Sequence, residues 1–338
     1  MARPARTPIS LALQGGGAHG AYTWGVLDRL AGEESLEIKA ITATSAGAMN
    51  AVAFADGFGT GGPDAAREKL ESLWRAISRV SGGLSTNGGL SGVFSPVAFA
   101  YASALQNWAS PYDLNPLNMN PLRDAVAGTI NFDAVKASGL ELFLSATDVE
   151  SGHVKVFSGE EVSVDAVLAS ACLPQTFQAV EIGGHAYWDG GYMGNPSLFP
   201  LIYAGAPTDV LLVTLNPIGR PGVPKRAGEI QERINEISFN AALIGELRAI
   251  AFVQRLLDEG MLKAPMLKKY RRLNVHAIRG GEDLHTQPLR TKYDTSWRFL
   301  TSLRDLGRAA ADKWLATDAK LVGTQQSNCN LRQEFLDG

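Results

Sequence analysis

The sequence predicts an α/β fold with a mainly parallel central sheet, and three observations point to it. A strand, a tight turn and a helix follow one another twice between Ile9 and Ala55, an arrangement that favours parallel pairing through right-handed crossovers. Further short apolar runs recur as far as Leu215, and two long helical patterns lie beyond Pro217. With 338 residues and 45% apolar content, the chain can bury the large core such a sheet needs.

Taken in order, Ile9 to Leu13 reads as a buried strand running into Gly15-Gly16-Gly17-Ala18-His19-Gly20. Ala21 to Leu30 then carries the helical spacing Tyr22, Val26, Leu27, Leu30. A second strand, about Leu36 to Thr42, enters Ala43-Thr44-Ser45-Ala46-Gly47, and Ala46 to Ala55 is a helix of small residues. After a helix over 65–80, the stretch 81–122 is rich in Gly, Ser, Pro, Asn and aromatics, and we expect a partly helical cap bordering a binding site. Strands are expected over 140–146 and 153–157, a helix over 164–170, a hairpin over 180–188 around Gly183-Gly184, and a strand over 209–215. Helices are expected over 227–257 and 297–315, a strand over 273–278, and a frayed tail from Gly323 to Asn330. The expected organisation is a catalytic core over 8–217, a helical section over 218–322 packed on it, and a tail over 323–338.

Charge and cysteine content narrow the classes. The formal net charge of −3 and pI near 6.0 offer no general attraction to nucleic acid or anionic lipid. Cys172 and Cys329 cannot build a disulfide framework, and the apolar start Ile9 to Leu13 is too short for a signal or spanning segment, so a soluble cytoplasmic protein is the expectation. Five scattered histidines show no metal-ligand spacing, and neither metal nor cofactor is expected. Lys263, Lys268, Lys269, Arg271 and Arg272 read as a solvated basic surface, and Ile234, Ile237, Leu247 and Ile250 as a core-facing stripe.

Ser45 is the residue that carries chemistry. A serine at a sharp strand-to-helix corner is exposed to substrate, and its small neighbours Ala43 and Gly47 let the turned backbone pass adjacent strands. The Ala46 amide falls at a helix start, where unpaired N–H groups favour negative charge. The three glycines of the earlier loop can turn the Gly16 and Gly17 amides outward, which would complete an oxyanion hole with Ala46. The rival reading is a dinucleotide loop, because Gly15, Gly17 and Gly20 fit G-x-G-x-x-G. That reading needs an acidic residue ending the next strand. Glu33, Glu34 and Glu37 precede or open that strand, and its end carries Thr44 and Ser45.

A serine nucleophile needs a base. Asp189, at the end of the strand-like His185 to Trp188 and before Gly190-Gly191, is a candidate; an ordinary Asp-Gly-Gly turn is the other reading. The ordered sets Gly15 to Gly20, Thr44 to Gly47 and Asp189-Gly190-Gly191 resemble the three signatures of the patatin-like phospholipases. The resemblance extends to Ala146-Thr147-Asp148, to Pro174 and Phe177, and to 110–122, and it covers about Ile9 to Pro217. It implies a three-layer α/β/α fold and a Ser-Asp dyad without histidine: Ser45 as nucleophile, Asp189 as base, and the amides of Gly16, Gly17 and Ala46 as oxyanion donors, supported by Gly15, Gly20, Gly47, Gly190 and Gly191. The implied substrate is a lipid or other acyl ester, with transient contact to a membrane surface.

Two positions depart from the family pattern. His19 stands where Arg or Lys is frequent, and Ala43 replaces the first glycine of G-x-S-x-G. An apolar surround from Trp188 and Phe177 is expected to raise the pKa of Asp189, since an ordinary aspartate is a feeble base at neutral pH. His276 and His285 follow Asp189 in the order of an α/β-hydrolase triad, although His276 lies in an apolar-alternating strand. A catalytically idle lipid-binding or regulatory protein is the alternative from another class.

Overall fold

A computed structural model describes residues 6–82, 109–267, 270–284 and 289–337. Most of the expected cap, residues 83–108, lies outside the described residues, as do Lys268, Lys269 and His285. The strands are β1 Thr7–Leu13, β2 Leu36–Thr44, β3 Glu141–Asp148, β4 Val154–Ser158, β5 Val180–Ile182, β6 His185–Asp189, β7 Asp209–Thr214 and β8 Asn274–Arg279. The principal helices are α1 Gly20–Leu30, α2 Ala46–Gly61, α3 Pro63–Gly82, α4 Pro121–Thr129, α5 Phe132–Ala137, α6 Val164–Ser170, α7 Phe199–Ala204, α8 Ala227–Asp258, α9 Trp297–Thr317 and α10 Leu331–Phe335.

The sheet runs β5-β6-β3-β2-β1-β7-β8, with β4 also paired to β3. The pairs from β3 through β2, β1 and β7 to β8 are parallel, while β4, β5 and β6 add an antiparallel margin. Alternation along the buried strands separates two apolar layers. Ile9, Leu11 and Leu13 of β1 face one core with α1, α2, α3, α6 and α9. Ala12 of β1, with Val210 and Leu212 of β7, faces a second core with Leu243 and Leu247 of α8 and Leu331 of α10. The fold is therefore α/β in three layers, helices covering both faces of a mostly parallel sheet.

Chain distant in sequence completes this arrangement. β8 extends the sheet beyond β7, in register from Asp209 opposite Asn274 to Thr214 opposite Arg279. Helix α9 lies so close on α1 that a Cβ on Gly25 would stand 1.9 Å from the Arg304 carbonyl oxygen. The stretch Gly323 to Asn330, expected to fray, is instead tied down. Asn328 Nδ2 donates to Ala277 O at 2.8 Å, Asn328 Oδ1 accepts from Ala277 N at 2.9 Å, and Cys329 is buried. The core stripe on α8 also needs correction: Leu247 and Ile250 are buried, but Ile234 and Ile237 are exposed.

The register on β3 decides what meets at the sheet's end. Residues Ala40–Thr44 of β2 pair with Glu141–Ser145, and the next residue, Ala146, pairs with Asp189 of β6. Ala146 also pairs with Lys155 of β4, so β4 and β6 occupy opposite edges of β3. Because β4 opposes Phe143–Thr147, β2 and β6 share the remaining edge and end head to head. Ser45, just past the tip of β2, thus faces Asp189 at the tip of β6.

Candidate active site

Ser45 occupies the corner between β2 and α2 with φ +55° and ψ −122°, a positive-φ conformation that is costly for any side chain but glycine. Ser170 helps hold it there. Its buried hydroxyl accepts from Ser45 N–H at 2.9 Å and donates to Ser145 O at 2.6 Å. The corner also needs the glycines around it: a Cβ on Gly47 would lie 2.4 Å from the Leu13 carbonyl oxygen, and one on Gly15 would lie 2.7 Å from Ser45 Cβ.

Asp189 is 1% exposed, and its carboxyl is close enough to the Ser45 hydroxyl for that group to lower its pKa. Its Oδ1 also accepts from Gly191 N–H at 2.7 Å. Its backbone is fixed on both sides, with Asp189 N–H donating to Cys172 O at 2.7 Å and Thr147 Oγ1 donating to Asp189 O at 2.8 Å. Burial raises the carboxyl from its ordinary 3.8 to about 6, and the Gly191 hydrogen bond and the nearby Ser45 hydroxyl hold it from rising further. A Cβ on Gly190 would fall 2.1 Å from Ser145 O, and one on Gly191 would strike the Phe239 ring at 2.3 Å.

The glycine loop lies alongside. Gly17 has φ +60° and packs so closely that an added Cβ would stand 2.5 Å from the Lys292 carbonyl oxygen. Gly20 opens α1, where a Cβ would meet that of Ala46 at 2.5 Å. Gln14 and Asn195 anchor the loop. Gln14 Oε1 accepts from Leu215 N–H at 2.7 Å and Asn216 N–H at 2.8 Å, and Asn195 Oδ1 accepts from Gly15 N–H at 2.7 Å. Among the described residues no hydrogen bond engages the N–H of Gly16, Gly17 or Ala46. All three residues line, with Ser45 and Asp189, a cavity of about 490 Å³.

That geometry coincides with a family assignment: residues 11–204, more than half of the chain, match the model of the patatin-like phospholipases. The chain belongs to the patatin-like phospholipase family. The solved structures similar to this patatin-like phospholipase are distant. VipD from Legionella pneumophila is 14% identical, with a TM-score of 0.36 and coverage of 89% of this chain and 67% of that one. A chain of the SpcU–ExoU complex from the type III secretion system of Pseudomonas aeruginosa is 18% identical, with a TM-score of 0.29 over 78% of this chain and 58% of that one. Curated protein sequences give no significant match. Membership places this patatin-like phospholipase among lipid acyl hydrolases as a class.

The apolar wall of the cavity includes Met49, Trp74, Ile77, Leu122, Leu173, Phe177 and Phe239, and Gln231 and Asn235 of α8 also line it. The expected border on 81–122 is thus represented, among the described residues, by Leu122, and the first turns of α8 form a further border. Phe177 lines the cavity as expected, whereas Trp188 does not; Tyr192 and Tyr293 stand beside Asp189 instead. The reason is the pleat of β6, in which Trp188 alternates away from the face that Tyr187 turns to the core.

His19, which stands where the family often has Arg or Lys, carries no charge into the site. It is buried, its Nε2 sits 2.8 Å from Thr291 Oγ1, and burial with the nearby Lys292 charge lowers it to about 3, so the ring is neutral and structural. His276 is engaged away from Ser45 and Asp189: its Nε2 meets Asp209 Oδ1 at 3.0 Å and its Nδ1 meets Ser327 Oγ at 2.9 Å. Cys172 is no rival nucleophile, because burial and the adjacent Asp189 charge push its thiol up to about 12. Among the described residues no group of His, Cys, Asp and Glu could hold a metal ion, and no helix is long and apolar enough to cross a membrane.

Sequence reasoning missed Ser170, Gln14, Asn195 and Lys292. The first three act through buried hydrogen bonds to partners far along the chain, for which local pattern carries no signal. Lys292 Nζ donates to Asn216 Oδ1 at 2.7 Å and Asn235 Oδ1 at 3.1 Å. Burial lowers its ammonium to about 8 against the opposing pull of Glu236 and Glu232.

Proposed function

We propose that this patatin-like phospholipase is a serine hydrolase that cleaves carboxylic ester bonds of lipids through Ser45 and Asp189. The observation that supports this most is a buried carboxylate, raised to about pKa 6, close enough to a hydroxyl on a strained corner for that hydroxyl to act on its proton affinity. At neutral pH Asp189 is ionised yet far more basic than an exposed aspartate, as a general base requires. It takes the Ser45 proton as Oγ attacks the ester carbonyl, and the oxyanion forms against the N–H groups of Gly16, Gly17 and Ala46. Each such donor is commonly worth about 3 kcal/mol of barrier. The protonated Asp189 then passes its proton to the departing alcohol, leaving an acyl ester on Ser45. In the second half Asp189 activates a water that releases the acid.

The acyl chain fits the apolar wall formed by Met49, Trp74, Ile77, Leu122 and Phe177. Exposed Tyr112, Leu114, Leu117 and Met119 precede the cavity-lining Leu122 in the chain, and exposed Ile230, Ile234 and Ile237 share the first turns of α8 with the cavity-lining Gln231 and Asn235. These two apolar flanks suit transient contact with a lipid surface, and we assign the protein to the cytoplasm on its composition.

Incubation with a fluorophosphonate tests the reading. We expect one covalent adduct, mapped to Ser45 by peptide mass spectrometry and absent from Ser45→Ala and Asp189→Asn. A folded wild-type protein that takes no label and hydrolyses no acyl ester would instead be an idle lipid-binding or regulatory member of the family.

A further inference from the structure

Lys292 and Asp189 are the charged side chains among the described residues that line the cavity, and only Asp189 has a role in the proposed chemistry. The ammonium of Lys292 is held by two neutral amide oxygens, those of Asn216 and Asn235, and by no carboxylate at ion-pair distance. The nearest acids are engaged elsewhere. Glu236 is paired with Arg220 at 3.2 Å and Arg233 at 3.0 Å, and Glu232 meets Arg220 at 3.6 Å. On the glycine-loop side the facing titratable group is His19, which is neutral. Two of the three ammonium hydrogens are therefore spent on positioning, and one remains in a desolvated site, where Glu236 and Glu232 pull on the charge without contacting it. Keeping a cation in such surroundings is unfavourable unless an anion arrives to meet it.

The position of Lys292 suits a ligand at the reacting centre. Its carbonyl oxygen packs on Gly17, and Asn235, which holds its Nζ, itself lines the cavity. A fixed cation that lines the same cavity beside the glycine loop would meet the polar end of a substrate whose acyl chain lies on the apolar wall. We propose that Lys292 is an anion subsite that receives the phosphodiester of a glycerophospholipid substrate and so sets the headgroup preference of the enzyme. This inference rests on the hydrolase reading above and adds to it the residue that recognises the charge of a phospholipid substrate. A direct charge-assisted bond of this kind is worth about ten- to a hundredfold in binding.

The test compares two micellar esters with the same acyl chain, lysophosphatidylcholine and the matching monoacylglycerol, on wild type and Lys292→Met. We expect kcat/KM for the phospholipid to fall about ten- to a hundredfold, chiefly through KM, with the monoacylglycerol changed less than about threefold. In the unmodified enzyme the phospholipid-to-monoacylglycerol ratio of kcat/KM should also decline above about pH 8, as Lys292 loses its proton. Equal losses on both esters, no loss on either, or a pH-independent ratio in wild type would overturn the inference. Fluorophosphonate labelling of both proteins separates the two levels: a variant that labels normally but keeps its phospholipid preference refutes the subsite alone. A wild type that neither labels nor hydrolyses refutes the hydrolase reading and the subsite together.

Discussion

Asp189→Asn should make the protein more stable at pH 8 while abolishing its activity. The folded state raises the Asp189 carboxyl from 3.8 to about 6 because burial penalises the charge. A group that holds its proton more tightly when folded contributes its full stability below the unfolded pKa and loses it as pH rises through the folded one. The window here is about pH 4 to 6. At about 1.4 kcal/mol for each tenfold change in proton affinity, ionising Asp189 costs the folded protein about 3 kcal/mol at pH 8 and only about half a kcal/mol at pH 4. Asparagine can still accept from Gly191 N–H and carries no charge to bury. With an unfolding entropy of about 2 cal/mol/K per residue, a gain of about 3 kcal/mol raises Tm by about 4 °C. Scanning calorimetry of both proteins at pH 4 and pH 8 measures the effect, and kcat/KM of the wild type on a soluble ester should fall to about a tenth of its plateau at pH 5. Identical Tm values at pH 8, or an activity limb near pH 4, would refute the argument that burial tunes this carboxylate.

Further outcomes follow from single contacts. Ser170→Ala removes the acceptor of Ser45 N–H and the donor to Ser145 O, and should lower stability by about 1–3 kcal/mol in a denaturant titration, with kcat reduced more than KM is raised. Gly17→Ala places a methyl 2.5 Å from Lys292 O at positive φ; we expect at least a tenfold loss of kcat on a soluble ester, because the loop must shift. His276→Gln should keep activity on a soluble ester within about threefold while lowering Tm, and loss of activity as complete as in Ser45→Ala would restore a histidine mechanism. Leu117→Asp with Ile234→Glu should weaken sedimentation with phosphatidylcholine vesicles, leaving hydrolysis of a short soluble ester unchanged.

Much of this architecture is legible in the amino-acid pattern, for identifiable reasons. Continuous apolar runs such as Ile9 to Leu13 and Asp209 to Leu215 become strands covered on both faces, and the hairpin around Gly183-Gly184 forms where two positive-φ glycines allow it. The three glycine-bearing corners mark themselves, because each backbone passes within contact distance of another element. Short helices such as Phe199–Ala204 are harder to see, since they draw on tertiary packing of Leu201 rather than on a repeating face. The stripe on α8 misleads because one helix serves two environments: Leu247 and Ile250 reach the second core, whereas Ile234 and Ile237, nearer the helix start, are exposed. Lys292 is invisible in the sequence for a different reason. Its neighbours Thr291 and Tyr293 form no motif, and its importance comes from Asn216 and Asn235, which only folding brings to it.

The abutment of β2 and β6 on one edge of β3 makes the chemistry vulnerable at a distance. Side chains alternate sides along a strand, so a slip of β6 by a single residue would carry the Asp189 carboxylate to the opposite side of the sheet while leaving Ser45, the glycine loop and the acyl wall undisturbed. Alterations in the Gly183-Gly184 hairpin, well removed from any bound lipid, could therefore silence hydrolysis and preserve ligand capture. Evolution of a binding-only relative from this scaffold would need no change at the nucleophile.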